Sequence, residues 1–495
     1  MLPIYLFLFL FFISLLSLIP SCSAKCIRLL GIVGGIGTAI GIGYLIQGPL
    51  LGFPQMWQGT YWVIDQFAAL LSLLIGFLYL MASLVSYRYL HQEHMQGTLN
   101  LSQLRIYYVS LPLFILAMLV TVWANNIGIL WIGLEATTLA TTLLVALYHK
   151  EGAVEAAWKY IIICSTGIAL GLLGILMVQH AGIQAGLHAS EALQLHFLRE
   201  HASELAPEVM RWAFIFIFIG FGVKVGFVPF HTWLPDAHGK TPSPISALLS
   251  GVLLNVAFYV ILRFKFLTDA SLTQSMWTER FFLIFGFLSI ILPVFLILIQ
   301  KNYKRLLAYS SIEHMGLMAF AVGLGPFGMI PALMHMIGHS LAKSFLFFGA
   351  GEFLLMWHTT KIELLGNVIH RQRKTAVLFL LALLALLAAP PSVLFMSELL
   401  LIAYGINTFT ILTLFVLLSL TIIAIGMLRH VLTMLFGHVP DQSVLSTEGN
   451  KMIVEKWNLT HGVMIVQGFI LLAAGIFFLT EEGMRFLVSI AEHLI

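Results

Sequence analysis

Residues 214–264 read FIFIFIGFGVKVGFVPFHTWLPDAHGKTPSPISALLSGVLLNVAFYVILRF, and the apolar run at the start of this stretch holds Lys224 before it is broken at Pro229. An ammonium group at the depth of a bilayer costs roughly 2.5 kcal/mol or more, so it normally faces a protein interior or a water-filled cavity and marks an ion path. The carbonyl groups freed by a proline at that depth need the same shelter. Lys224 is therefore the first functional candidate. The alternative, a lysine that snorkels to the membrane surface, is disfavoured because apolar residues flank it on both sides.

The composition indicates a helical membrane protein with many spans. Of the 495 residues 60% are hydrophobic and 9% are charged, and the mean hydropathy is +0.98. Soluble domains carry about 25% charged residues. The net charge of +3 gives no indication of nucleic-acid binding. The three cysteines form no disulfide framework, and the spacing of Cys22 and Cys26 lacks the further thiols or histidine pair of a metal site.

Apolar runs separated by loop-like breaks predict about fourteen spanning helices, since each span needs about 20 residues. These helices lie near 2–20, 28–47, 62–86, 107–124, 127–148, 155–179, 212–230, 244–266, 281–299, 306–324, 328–357, 376–403, 409–436 and 460–480. The first apolar stretch has no basic residue before it, which favours a retained helix over a cleaved secretory signal.

The basic residues support this topology. With the N-terminus outside, the inner loops hold seventeen lysines and arginines and the outer loops hold six, and Lys224 and Lys343 complete the total of 25. Because loops on the cytoplasmic side carry an excess of basic residues, the pattern predicts that both termini lie outside. We call the side with the basic loops the inner side.

Two of the predicted helices are interrupted by proline. The seventh breaks at Pro229, and the twelfth carries Pro390 and Pro391 in the middle of LLAAPPSVLFMSELL. Paired interrupted helices at corresponding positions are typical of transporters built from inverted repeats, with the ion site between them. The sequence therefore predicts discontinuous helices 7 and 12 in two related halves.

The first half holds one buried carboxylate candidate. Glu135 is the only charged residue between Arg105 and His149. Because a carboxylate and an amine in one bilayer stabilise each other's charged forms, we expect Glu135 to pair with Lys224.

The second half holds a stripe of titratable residues. His335, His339 and Lys343 follow one another at four-residue intervals and therefore share one helix face. The interrupted twelfth helix supplies Glu398. Imidazoles titrate near neutral pH, so this set predicts a proton relay. Two alternatives are a structural polar stripe and a zinc site, but no HExxH glutamate or third ligand accompanies the histidine pair, and we expect no metal.

Other polar residues rank lower as functional candidates. Glu313 and His314 adjoin each other near the start of the tenth helix, and Asp65 lies at the outer end of the third, where an interfacial position is expected. A third group follows the Pro229 break, where it either admits protons or shapes a loop: His231, Asp236 and His238.

Several motifs together resemble a known family. GVKVGFVPFHTWLPDAHGKTPSPISALLSGVLL, AYSSIEHMG, GHSLAKSFLFFGAG and PPSVLFMSELL are similar to the antiporter-like membrane subunits of respiratory complex I, Mrp cation/proton antiporters and membrane-bound hydrogenases. The resemblance extends over about residues 65–435 of the chain. HTWLPDAHGKTPSPISALLSG and SSIEHMG look most like component F of the hydrogenase-4 and formate hydrogenlyase type.

The resemblance implies an all-α polytopic membrane protein in which helices 4–8 (107–268) and 9–13 (281–436) are inverted repeats, each a half-channel. Helices 1–3 (1–106) precede them, and a region with helix 14 (437–495) follows.

The resemblance also implies roles for single residues. Glu135 matches the family's fifth-helix glutamate and Lys224 its partner, Lys343 matches the central lysine of the eleventh helix, and Glu398 matches the ionisable residue that faces the outlet. One position departs from the family, because Asn255 stands where many members carry lysine or histidine. An amide cannot take up a proton near neutral pH, so transfer there needs water.

These observations favour a proton-translocating subunit in a cell inner (cytoplasmic) membrane. It is expected to lie in lipid, to carry protons, with Na+ as the alternative ion, and to assemble with other subunits that supply any redox chemistry. Nucleic acid is not an expected partner. No cofactor is expected, because the sequence has no cysteine cluster and no credible dinucleotide loop. The alternatives are an Mrp-type cation/proton antiporter that works without electron transfer and a non-conducting scaffold.

Overall fold

The structure is a computed structural model, and it describes residues 2–51, 55–57, 61–272, 276–438 and 455–494. The expected polytopic helical architecture is confirmed. Within those ranges eleven helices are long and apolar enough to cross a membrane. Part of the predicted region 437–495 lies outside the described residues.

The chain begins with helices that include the first three predicted spans. They are α1 (Leu2–Leu18), α2 (Ala24–Leu45), α3 (Gln47–Leu50) and α4 (Gln66–Met95). A short antiparallel hairpin of β1 (Gln55–Trp57) and β2 (Trp62–Ile64) precedes α4.

The middle of the chain holds the first interrupted helix. Its elements are α5 (Leu101–Trp123), α6 (Ile127–Val145), α7 (Glu151–Gln184), α8 (Leu195–Glu200), α9 (Pro207–Val225), α10 (Trp233–Lys240), α11 (Ser243–Leu248) and α12 (Leu254–Ser271).

The remainder holds the second interrupted helix. Its elements are α13 (Trp277–Leu298), α14 (Tyr303–Gly323), α15 (Met329–Trp357), α16 (Val368–Arg371), α17 (Arg373–Leu386), α18 (Val393–Thr408), α19 (Thr410–Phe436), α20 (Leu459–Phe477) and α21 (Glu481–Leu494). Each predicted helical segment thus coincides with one or two helices of the structure.

Both predicted interruptions are present. Helix α9 ends at Gly226, whose φ of 86° lies in the left-handed region that glycine adopts readily, and α10 then continues the seventh predicted helix to Lys240. In the twelfth, α17 ends at Leu386 and α18 restarts after Ser392, whose hydroxyl accepts a hydrogen bond from the Phe395 amide at 3.3 Å.

A further irregularity lies in the eighth predicted helix, which the sequence analysis treats as continuous. Residues 249–253 form a π-helical turn between α11 and α12. The Gly251 carbonyl accepts hydrogen bonds from the Ser340 hydroxyl at 2.6 Å and from the Asn255 amide at 3.0 Å, which satisfies a group that the wider turn releases. The sequence did not reveal this turn, because its apolar pattern is that of an ordinary buried helix.

The candidate residues lie on or beside the most buried helices. The most apolar parts of the segment 243–271 and of α14 are wholly buried. Helix α15 packs against α14, α17, α18 and α20. Helices α7 and α9 approach closely through glycine: a Cβ atom at Gly220 would lie 2.6 Å from the Gly167 carbonyl oxygen. This packing draws α6, α7 and α9 around Lys224.

Candidate functional site

Lys224 lies in the protein interior. Its side chain is fully buried, and the ammonium donates hydrogen bonds to the Thr138 hydroxyl of α6 at 2.6 Å and to the Tyr160 hydroxyl of α7 at 2.8 Å. The lysine does not snorkel to a surface. Two neutral hydroxyl groups therefore solvate a charge that would otherwise be costly at this depth.

The expected direct ion pair between Glu135 and Lys224 is absent from the described residues, and this part of the prediction is wrong. Glu135 accepts a hydrogen bond from the Ser165 hydroxyl of α7 at 2.7 Å, and its second oxygen has no hydrogen-bond partner among the residues that the structure describes. The physical reason is that Lys224 finds its acceptors on Thr138 and Tyr160 instead. Glu135 lies one helical turn before Thr138 and acts electrostatically on Lys224.

The stripe in the second half has the predicted geometry on α15. Lys343 is fully buried and donates hydrogen bonds to the Leu307 carbonyl of α14 at 2.8 Å and to the Ser310 hydroxyl. His339 is also fully buried, and neither of its ring nitrogens has a hydrogen-bond partner among the described residues.

His335 joins three helices. Its Nε2 atom lies 2.9 Å from Nδ1 of His314 on α14, and its Nδ1 atom lies 2.9 Å from the Ser397 hydroxyl on α18. One ligand atom from each of His314, His335 and Glu398 lies within 4.8 Å of the other two. The set thus places a buried imidazole pair beside the partly exposed Glu398.

Among the described residues, these three side chains also form a group that could hold a metal ion. A metal would have to displace the existing contacts, however, because both ring nitrogens of His335 are already engaged. The geometry as it stands is that of a hydrogen-bonded relay, and the expectation of no metal stays a prediction.

Sequence reasoning ranked Glu313 and His314 too low. Both are buried, and a Glu313 oxygen lies 3.5 Å from Nε2 of His314. The signal was available, because two adjacent titratable residues interrupt an apolar helix. Only the packing of α14 on α15 shows that His314 meets His335.

Asn255 connects α12 with α15. Its amide nitrogen donates to the Ser340 hydroxyl at 2.8 Å, and its oxygen has no hydrogen-bond partner in the part of the chain that is described. Ser340 precedes Lys343 by one turn of α15. The non-titratable position is therefore next to the central lysine.

The residues after the Pro229 break separate into two kinds. Asp236 faces the surface, where it forms ion pairs with Lys159 at 3.2 Å and Arg305 at 3.4 Å. His231 is 9% exposed, whereas His238 is fully buried. Asp236 thus links α10 to α7 and α14 at the surface, whereas His238 lies in the interior.

The interrupted helices and the buried lysines and histidines define an antiporter-like membrane protein of the ion-translocating class. The chain belongs to the family described as NADH:quinone oxidoreductase/Mrp antiporter, TM, whose model matches residues 124–424. The resemblance seen in the sequence is thereby confirmed.

Curated relatives include components of hydrogenase-4. The chain is 36% identical to the hydrogenase-4 component F homolog of Methylacidiphilum infernorum (isolate V4) over 70% of this chain and 72% of the relative. It is 29% identical to hydrogenase-4 component B of Escherichia coli (strain K12) over 68% of this chain, but this match spans only 49% of that relative's length.

Two solved structures share the fold over the whole chain. A chain of the membrane-bound sulfane sulfur reductase, an archaeal respiratory membrane complex, superposes with a TM-score of 0.82 at 21% identity and is covered to 96%. A chain of the Mrp complex from Dietzia sp. DQ12-45-1b superposes with a TM-score of 0.81 at 16% identity and is covered to 97%. At these identities the likeness establishes the fold alone.

Proposed function

We propose that this chain translocates protons through Glu135, Lys224, His335, His339, Lys343 and Glu398, as a subunit that itself carries no redox centre. The observation that carries the proposal is the environment of the two buried lysines. Among the described residues no carboxylate lies within ion-pair distance of Lys224 or Lys343. Buried structural charges are normally paired, whereas a lysine held by hydroxyl and carbonyl groups can release its proton.

The two lysines define two half-channels. Residues 107–268 would form the first and residues 281–436 the second, preceded by residues 1–106 and followed by residues 437–495. Each half contains one interrupted helix, with Lys224 on α9 in the first half and Lys343 on α15, which packs against α17 and α18, in the second. Such pairs of interrupted helices are the mark of inverted repeats with an ion site near the bilayer midplane.

The setting would be a multi-subunit complex in the cytoplasmic membrane. Relatives and structural neighbours are a hydrogenase component and a chain of a respiratory membrane complex, which supports membrane subunits as partners and redox chemistry in other chains. The Mrp-type reading remains the second candidate, because a chain of an Mrp complex shares the fold equally well. In that case Na+ would move against protons without electron transfer.

Proton uptake by inverted membrane vesicles tests the proposal in the assembled complex. Lys343→Met should abolish uptake while the chain stays inserted, and Lys224→Met and Glu135→Gln should reduce it. Uptake driven by an electron donor supports the redox-linked complex, whereas uptake driven only by a Na+ gradient supports the antiporter. Unchanged uptake in both lysine variants would support a scaffold.

A further inference from the structure

We propose that the buried residues Glu93, Lys304 and His238 form a separate entrance that delivers protons from the inner side to Lys343 without passage through the first half. The inference rests on the proposed function and adds a second supply route to it. It follows from three buried groups that the half-channel assignment leaves unused.

Glu93 is the outermost member of this entrance. It lies in the last turn of α4, near the basic loops of the inner side, and is 7% exposed. The Tyr148 hydroxyl bonds to its two oxygens at 2.8 Å, and no cation lies within ion-pair distance among the described residues. A buried carboxylate with a phenol and no counter-ion is a group that can bind and release a proton.

Lys304 follows Glu93 toward the interior. It lies in the first turn of α14, is 1% exposed, and donates a hydrogen bond to the Thr241 carbonyl just after α10. Lys304 acts electrostatically on Glu93, but the two form no ion pair. Like Lys224 and Lys343, this lysine is buried beside a neutral acceptor.

His238 connects Lys304 with Lys343. It lies on α10 one turn before Thr241, and its ring stacks on Phe347 with centroids 5.1 Å apart and planes 16° apart. Phe347 is one turn beyond Lys343 on α15. His238 therefore lies one helical turn from the carbonyl that binds Lys304 and packs against the residue one turn beyond Lys343.

The hydrogen bonding of His238 distinguishes a relay from a structural residue. Neither ring nitrogen has a partner among the described residues, and the same holds for His339, on which His238 also acts. A buried polar atom without a partner is costly, so a purely structural histidine would be bonded to protein. Free nitrogens on neighbouring imidazoles can instead pass protons through water.

Asn255 explains why a second entrance is useful. Its amide cannot titrate, so a proton from the first half reaches Lys343 only through water near Asn255. The entrance supplies Lys343 from the inner side and bypasses that step. The two routes are therefore parallel, and each can be closed alone.

A double-mutant cycle in inverted membrane vesicles tests this arrangement. His238→Gln closes the entrance, and Asn255→Leu closes the lateral route. We expect each single variant to keep about half of the wild-type proton uptake and the double variant to fall to background, because independent routes fail together only when both are closed. Tyr303→Phe is the matched control, since it changes a buried residue next to Lys304 that lies off the route, and it should pump normally.

The outcomes separate the entrance from the proposed function. Normal uptake in Lys343→Met would overturn the proposed function itself. If Lys343→Met is inactive but the double variant pumps as well as Asn255→Leu alone, the entrance is wrong and the proposed function stands. Inactivity of His238→Gln alone, with normal assembly in blue native gels, would also overturn the parallel arrangement and place His238 on a single obligatory route.

Discussion

The ammonium of Lys224 donates a 2.8 Å hydrogen bond to the hydroxyl of Tyr160, and this contact takes the place of an ion pair with Glu135. A neutral acceptor stabilises the charged lysine less than a carboxylate would. In the proposed function, this weaker stabilisation lets the proton on Lys224 move. Glu135 influences it from a distance rather than by contact.

Tyr160→Phe should slow proton uptake by up to about half, because the loss of a hydrogen bond to a charged group, about 1.5–3 kcal/mol, disfavours the charged lysine while the separate entrance still supplies Lys343. The measurement is the initial rate of proton uptake in inverted vesicles. Tyr44→Phe is the control, since this tyrosine is exposed on α2 and far from Lys224 in the fold. Equal rates for wild type and Tyr160→Phe would mean that the Thr138 hydroxyl suffices.

The sequence predicted the architecture well, for a physical reason. Spans follow from hydropathy, which acts locally along the chain, and the interruption at Pro229 follows from the missing amide of proline. Neither of these local patterns predicts which residues form hydrogen bonds with Lys224. Thr138 and Tyr160 are ordinary residues in their own helices, and only the close packing of α7 on α9 brings them to the lysine.

The same limit applies to the second half. Four-residue spacing gave the stripe of His335, His339 and Lys343, because residues on one helix obey a fixed period. Contacts between helices have no such period, and so the bond between His314 and His335 was not foreseen. The role of Glu93 was also invisible, since its sequence context is that of a solvated helix end.

The ion pair of Asp65 with Arg263 should make stability depend on pH. Arg263 donates to Asp65 at 2.6 Å, and Asp65 also accepts from the Ala68 amide at 2.9 Å. Burial alone would raise the pKa of the Asp65 carboxyl, but Arg263 and the Ala68 amide outweigh it and lower the pKa below its ordinary value. Its stabilising contribution is thus complete above the unfolded pKa of about 3.9 and is lost as the pH falls through the lower folded value.

Asp65→Asn should accordingly lower the free energy of unfolding by about 3 kcal/mol at neutral pH, because it leaves Arg263 without its charge partner. Asparagine can still cap the helix, so the loss of stability measures the contribution of the ion pair. Thermal unfolding in detergent should show the difference from wild type shrinking as the pH falls below about 4. The exposed pair of Glu208 and Arg211 provides the control, since Glu208→Gln should change stability by less than about 0.5 kcal/mol.

Cysteine labelling checks the topology. In a background without the native cysteines, Lys301→Cys should react with a membrane-impermeant maleimide only from the inner side, and Glu200→Cys only from the outer side. Both positions are exposed in the structure. Labelling of both from the same side would contradict the assignment of the basic loops and the number of spans between them.

Glu398→Gln should reduce proton uptake on the order of a hundredfold, because it removes the last titratable group of the outlet while keeping its shape. Glu398 is partly exposed and meets the His314 and His335 pair within 4.8 Å. A proton that reaches His335 from the direction of Lys343 therefore has a carboxylate beside it that also borders the surface. The measurement is uptake in inverted vesicles, with assembly verified by blue native electrophoresis.

Two companion variants make this test specific. Ser397→Ala removes the hydroxyl that holds Nδ1 of His335 but leaves every titratable group in place, so it should slow uptake far less than Glu398→Gln does. Glu200→Gln changes an exposed glutamate in the loop between α7 and α9 and should have no effect. If Glu398→Gln pumps like wild type, protons leave elsewhere, and Glu313 beside His314 becomes the carboxylate to test, since it is the other one that contacts the imidazole pair.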